Sequence, residues 1–277
     1  MKPYSKMLAV LVGAALQLPT IQETAAPAAL LIVRPRPPRR DLPRPLTPLE
    51  IVESQLRALQ AKPESLSTGL PYRKDASLQN AAQLPLEGIG YWTIRPERNT
   101  HYGTDDLISG LIETAAALRQ AGPEMPPLAI GDISGPKGGR VSLHLSHRSG
   151  RDADLLFFWT DFWGAPVLTE DFAHFNASGR ARYMRMEIRF DTARNWALVR
   201  GLLANPRIGR PGLLIFVWQP LREKLLKYAR LTEKDPAVLA AARRSLLISR
   251  ESEGLHNDHF HVRIACSPRE AALGCRN

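Results

Sequence analysis

The sequence predicts an α+β fold in which a small, largely antiparallel central sheet is flanked by helices. Three observations carry that prediction. Apolar residues recur at helical spacing through 107–118, side chains alternate in character through 259–264, and strands and helices are mixed along the chain instead of alternating regularly. No internal repeat interrupts the pattern. With 44% hydrophobic and 23% charged residues in 277, the composition is that of a globular domain able to bury a core, neither disordered nor membrane-embedded.

The first element is a leader. Lys2 and Lys6 precede the apolar run 7–16, and small residues follow at Ala25, Ala26, Ala28 and Ala29, the layout of a secretory signal peptide over 1–29. The run is shorter than the roughly 20 residues that cross a bilayer, and no later stretch is long and apolar enough, so the protein is expected to be exported and not membrane-spanning. A segment over 30–48 follows, containing RPRPPRRDLPRPLTP, too rich in proline and arginine to pack and read as a linker. The remaining 49–277 should form the folded domain. Much of the net charge of +10 lies in that linker, at Arg34, Arg36, Arg39, Arg40 and Arg44. The charge suits a polyanionic partner; an aromatic-interleaved strand pattern for nucleic acid is absent, so a nucleic-acid-binding reading rests on charge alone and no nucleic-acid partner is expected.

Within the domain, Thr47, Pro48 and Glu50 form a capping-box pattern ahead of an apolar face of Ile51, Leu56 and Leu59, predicting a helix to about Lys62. Loops and short strands are expected over 63–103, with a strand at 88–94. Thr104 caps the next helix, and Gly122 closes it. Strands are predicted at 128–133, 152–159, 213–218 and 259–264, and helices after Asp191, Pro220 and Pro236. Cys266 and Cys275, the only cysteines, follow the last strand; they would pair in an oxidising compartment, the alternative being two free thiols.

Five of seven histidines fall in two clusters, His144 and His147, and His256, His259 and His261. In the last strand His259, His261 and Arg263 share one face, and Phe260, Val262 and Ile264 share the other, so imidazoles meet a cavity while apolar side chains meet a core. In HLSHRSGRDAD, Gly150 permits a sharp turn between His147 and Asp154. Zinc takes three or four nitrogen, oxygen or sulfur ligands, and a catalytic zinc keeps a position open. His147, Asp154 and His261 supply that ligand count, which would place a zinc site on one face of the sheet. HxH or an acid in a turn alone is weak; the two together make the pattern specific. Asp152 shares a strand face with Asp154 and would either orient a ligand imidazole or cap a turn.

These residues resemble the penicillin-insensitive murein endopeptidases, within the wider group of lysostaphin-like and D-Ala-D-Ala metallopeptidases. The resemblance runs from about Ser67 to the C-terminus through five blocks: NAAQLPL (80–86), RPERNTHYG (95–103), IGDISGPKGG (130–139), SHRSGRDAD (146–154) and HNDHFHVRIACSP (256–268). It implies a zinc site of His147, Asp154 and His261, with His259 beside the metal as base or transition-state stabiliser, and His256 and His144 lining the site. It also implies a tail disulfide and a periplasmic peptidase that hydrolyses the D-alanyl to meso-diaminopimelate cross-link of peptidoglycan without a serine nucleophile. Leu143, Arg148 and Asn257 depart from the family's usual glycine, glutamine and aspartate, and none of these removes a ligand. Two other readings fit the same scaffold, a carboxypeptidase trimming terminal D-alanine and a non-catalytic zinc-containing peptidoglycan-binding module.

Overall fold

Helix-forming and strand-forming segments meet in a computed structural model that describes residues 44–248 and 255–277. The leader (1–29) and most of the linker (30–48) lie outside the described residues. Contacts group Pro45–Asn277 as one compact unit.

The chain opens with α1 (Pro48–Gln60), where Thr47 accepts from the Glu50 N–H and Glu50 reaches back to the Thr47 backbone, the capping box its sequence predicts. Short strands follow: β1 (Leu66–Thr68), β2 (Ser77–Gln79), β3 (Ala82–Gln83), β4 (Glu87–Gly88), β5 (Tyr91–Thr93) and β6 (Tyr102–Gly103). Then come α2 (Asp105–Ala121), β7 (Leu128–Ile130), β8 (Asp152–Leu156), β9 (Trp159–Asp161), β10 (Pro166–Val167), β11 (Arg180–Tyr183) and β12 (Met186–Phe190). The last third contains α3 (Thr192–Ala204), β13 (Leu214–Phe216), α4 (Gln219–Thr232), α5 (Pro236–Ser245), β14 (Leu246–Leu247), β15 (His259–Arg263) and α6 (Pro268–Ala272). Thr104, Asp191 and Asp235 cap α2, α3 and α5 by accepting from backbone N–H groups, and prolines stand at the starts of α4 and α5.

The α+β class is observed, but the central sheet is larger than predicted. Among the described residues it has seven strands in the order β14-β13-β15-β8-β7-β5-β4. Four neighbouring pairs are antiparallel; β13 with β14 and β5 with β7 run parallel, because a helix-bearing segment separates each pair in sequence. A four-stranded sheet, β10-β9-β12-β11, lies beyond β8 in sequence.

Two predicted strands are corrected. The run 88–94 is a hairpin: Gly88 pairs with Tyr91, and Gly90 turns the chain with φ +79°, where a Cβ would stand 2.3 Å from the Ala115 carbonyl oxygen. The run 152–159 is divided between two sheets, because the Asn195 side chain accepts from the Phe158 N–H (3.0 Å) and donates to its carbonyl (2.7 Å), taking both groups out of the ladder. The hairpin β11–β12 and helix α6 were not anticipated.

The core lies between the sheet and its helices. Phe260 and Val262 of β15 and Ala153 and Leu155 of β8 are fully buried, together with Leu107, Ile108, Leu111 and Ile112 of α2. Each large side chain so placed contributes about 1.5–3 kcal/mol through removal from water. This burial fixes which face of β15 is left for its histidines, since successive side chains point to opposite sides. At the C-terminus a Cys266–Cys275 disulfide closes the tail, as an oxidising compartment would allow.

Candidate metal centre

Strands β8 and β15 pair so that His261 stands opposite Asp154 and Arg263 opposite Asp152. The apolar side chains between them face the core, so these four polar side chains lie together on the other face. His147 arrives from the loop before β8. Its backbone has φ +64°, and Gly150, at φ +72°, turns the chain back where a Cβ would meet Leu78 Cδ2 at 2.6 Å. The sharp turn expected at Gly150 is present.

The three predicted ligands converge. His147 Nε2 lies 3.2 Å from Asp154 Oδ1 and 3.2 Å from His261 Nδ1, and His261 Nδ1 lies 3.3 Å from Asp154 Oδ1. Donor atoms around a tetrahedral zinc with bonds of about 2.0–2.1 Å are about 3.3–3.4 Å apart, so the triangle has the dimensions of one face of such a site.

The orientation of each ring follows from its far nitrogen. His147 Nδ1 is 2.7 Å from the Ile133 carbonyl oxygen, which can only accept, so Nδ1 donates and Nε2 turns toward Asp154. His261 Nε2 donates to Asp152 Oδ1 at 2.8 Å, leaving Nδ1 inward. His259 Nδ1 donates to Asp258 Oδ1 at 2.6 Å, and its Nε2 lies 3.3 Å from Asp154 Oδ1. His144 Nε2 donates to Asp132 Oδ2 at 2.7 Å, and its Nδ1 is 3.7 Å from Asp154 Oδ2. Four imidazoles therefore present an inner nitrogen to one carboxylate, each with its outer nitrogen engaged by an acceptor, the arrangement that orients histidine toward a metal.

Asp154 is wholly buried, and neither carboxylate oxygen has a hydrogen-bond partner. The inner nitrogens of His147 and His261 face each other at 3.2 Å, a distance at which at most one of them carries a proton. A metal cation shared among them would supply what both sides lack, as do protons on His147 and His259 when no metal is bound. Two imidazoles and a carboxylate form a donor set suited to zinc, so the residues present fit the group the sequence implies.

The electrostatics of the metal-free cluster follow from the same contacts. Burial alone would raise the Asp154 carboxyl, but His147 and His259 hold it well below the carboxylate range. Asp152 is likewise held down against burial by Arg263 and His261. Burial opposes charge on His259, yet Asp154 and Asp258 raise it to about 10; His147 is raised for the same reason by Asp154 and Asp152. His256 behaves oppositely: burial and the neighbouring His259 and His261 lower it to about 3, so its ring is neutral, and its buried Nδ1 has no hydrogen-bond partner.

All six predicted site residues belong to one cluster. His256, φ +60°, stacks on Phe216 at 5.9 Å and meets His259 edge-on at 5.2 Å. A cleft of about 500 Å³ opens over His144, His256, His259 and His261, with Tyr72, Leu145 and Arg263 in its walls. A larger cleft of about 730 Å³ around Lys62, Tyr102 and Lys137 contains neither histidine nor carboxylate. The sequence reading missed Asp132 and Asp258. Asp132 lies at the end of β7 in IGDISGPKGG, where Arg98 and Thr100 also donate to it. Asp258 immediately precedes His259, just outside the strand whose alternation nominated the histidines, so the face pattern could not select it.

Similarity to known proteins follows the same residues. The sequence profile described as penicillin-insensitive murein endopeptidase matches residues 72–277, which include every residue of the cluster. A penicillin-insensitive murein endopeptidase of Haemophilus influenzae is 31% identical over 198 residues, covering 71% of this chain and 62% of the relative. One of Yersinia pestis bv. Antiqua (strain Antiqua) is 26% identical over 199 residues, 67% of this chain and 62% of the relative, and one of Pectobacterium atrosepticum is 25% identical over 199, covering 67% and 60%. The chain thus spans somewhat less than two thirds of the length of these relatives. With the profile extending over most of the chain and across the whole histidine and aspartate cluster, this chain belongs to the penicillin-insensitive murein endopeptidase family.

Proposed function

We propose that the chain is a zinc-dependent, periplasmic endopeptidase that hydrolyses D-alanyl to meso-diaminopimelate cross-links in peptidoglycan, with His147, Asp154 and His261 as metal ligands. The observation that carries the reading is the buried Asp154 carboxylate, without hydrogen-bond donors and faced by imidazole nitrogens whose partners on the far side fix their orientation. The family's name supplies the substrate class. Kinship with the wider lysostaphin-like and D-Ala-D-Ala metallopeptidases belongs to the same proposal, as does export through the leader.

When bound there, zinc supplies Lewis-acid polarisation of the scissile carbonyl and makes water a competent nucleophile near neutral pH. The chain's own groups do the rest. His259, on the cleft side of β15 and held by Asp258, is protonated while the bare Asp154 charge faces it; once that charge is taken up at the ligand set, its ring would take the proton from the attacking water and pass it to the leaving amine. Neutral His256, lining the cleft beside His259, offers a hydrogen bond to a developing oxyanion or to His259 as it becomes charged. His144, fixed by Asp132, closes the opposite side of the cluster. Asp152 holds His261 in the tautomer a ligand requires.

The test is hydrolysis of purified cross-linked muropeptide dimers, followed by mass spectrometry with and without chelator. Conversion of dimers to monomers that stops on chelation and resumes with zinc is expected. Release of terminal D-alanine alone would assign carboxypeptidase activity, and binding without any mass change would assign a non-catalytic module. His259→Ala should retain zinc while losing most turnover; undiminished turnover removes His259 from the mechanism.

A further inference from the structure

The four-stranded sheet ends in two adjacent hairpin turns whose side chains serve neither the core nor the histidine cluster. Strand β9 pairs with β12 so that Asp161 stands opposite Ile188, and continuing that register brings Trp163 level with Met186. The β9–β10 turn therefore lies beside the β11–β12 turn, where Tyr183 pairs with Met186. At this shared end Phe162, Trp163, Met184 and Met186 are 48%, 86%, 80% and 38% exposed. Phe162 and Trp163 pack edge-on at 5.1 Å, leaving the indole's outer surface in solvent. Met184 occupies the left-handed region, φ +55°, where glycine or asparagine is the ordinary choice. A long apolar side chain is thus held outward at a turn that favours a small one.

Arginine surrounds this tip. Segment 180–190, RARYMRMEIRF, carries four arginines and one glutamate. Arg180 and Arg189 stand directly opposite each other, an arrangement that costs stability in a sheet unless an anion lies between or above them. The Arg189 guanidinium lies 4.4 Å over the Phe162 ring, and its Nε has no hydrogen-bond partner, with Glu187 Oε1 at 3.8 Å. Arg182 and Arg185 are exposed. The acids nearby offset part of this charge: Glu187 faces Arg182 and approaches Arg189, Asp161 accepts from the N–H groups of Trp163 and Ala165, Glu170 lies near Tyr183, and Asp171 is paired with Arg95; Arg182 and Arg185 stay exposed at the turn.

We propose that this end of the sheet docks on an anionic phospholipid bilayer. Trp and Phe favour the headgroup boundary, Met supplies a flexible apolar plug, and the arginines lie at the level of the lipid phosphates when the tip enters. The apolar residues stand out from two turns instead of forming the flat, continuous patch that a folded protein partner would cover. The sign of the surrounding charge selects an acidic lipid surface. Docking would be peripheral, since no described helix is long and apolar enough to cross a membrane. The inference is independent of the metal centre and of the reaction assigned to it.

The test is co-sedimentation of the full chain with vesicles of phosphatidylglycerol and phosphatidylethanolamine, and with vesicles of phosphatidylcholine alone. Preferential binding to the acidic vesicles is expected. Trp163→Ser with Met184→Ser should weaken that binding about tenfold or more, in line with the apolar surface lost, while muropeptide hydrolysis stays unchanged. Trp163→Ser alone should act in the same direction to a smaller degree, and Arg182→Gln with Arg185→Gln should remove the preference for acidic lipid. Wild-type binding by the Trp163 and Met184 double variant overturns the proposal, because the attraction then lies elsewhere, as in the arginines of 34–44. Loss of binding to isolated sacculi with vesicle binding intact also overturns it, since the tip would then recognise the wall.

Discussion

Arg151 and Asp154 lie in one short stretch, both wholly buried, and their surroundings are opposites. Arg151 donates to the Ser67 hydroxyl, the Ile264 and Arg276 carbonyls and the Asn277 side chain. Every one of those partners comes from the chain itself, and the cluster is complete as it stands. Asp154 accepts no well-aligned hydrogen bond at either oxygen and is ringed by imidazole nitrogens 3.2–3.3 Å from Oδ1. Burial of charge is common to both; what separates a structural anchor from a site is whether the fold supplies the missing partners.

The contrast sharpens into measurable differences. The largest effect is expected at Asp154 and His147: alanine at either should abolish stoichiometric zinc retention and hydrolysis while the fold persists, because neither side chain belongs to the apolar core that holds the sheet to its helices. Metal content by mass spectrometry beside circular dichroism checks this, and a zinc-loaded, active Asp154→Ala protein would dissolve the distinction. Arg151→Met should do the reverse. Its carbonyl and hydroxyl partners would be left buried and unsatisfied, at about 3–5 kcal/mol in urea unfolding, with zinc affinity per folded molecule unchanged.

Asp152 stands between the two behaviours, accepting from both His261 and Arg263. Asp152→Asn should weaken zinc affinity by about 10–100-fold through loss of ring orientation. Competition with a metal-binding dye reads this directly. The smallest effect is a change in slope. In chelated protein the His259 pKa is raised from 6.5 to about 10, so the stabilisation it gives is fully present below 6.5 and is lost as pH rises toward 10. Zinc-loaded protein should show the opposite trend on leaving acid pH, because ligand imidazoles bind metal only when deprotonated. Parallel unfolding curves in chelator and in zinc would show the two slopes; identical slopes would mean that metal and protons do not compete for these rings.

The site was more legible in the sequence than the sheet around it. Alternation in HFHVRI gives the two faces of β15 with no further information, because a strand has a fixed period and apolar residues must take the buried side. The helices were legible through their caps, as at Thr104 and Asp191. The division of 152–159 was not, since it depends on Asn195, far along the chain, capturing the Phe158 backbone. The turn at Gly90 was hidden for a similar reason: its close approach to the Ala115 carbonyl is a tertiary fact. Asp132 and Asp258 were missed because an acid that orients a histidine has no spacing rule of its own.

The placement of His261 directly across from Asp154 in adjoining strands ties the proposed ligand set to backbone registration. Sliding β15 by a single residue would turn His259 and His261 into the apolar interior, away from Asp154, and bring Phe260 or Val262 outward. A correctly zipped sheet and an assembled ligand set are therefore one structural event, and on the proposed reading uptake of the ion would double as proof of assembly, since misregistered chains would lack the set.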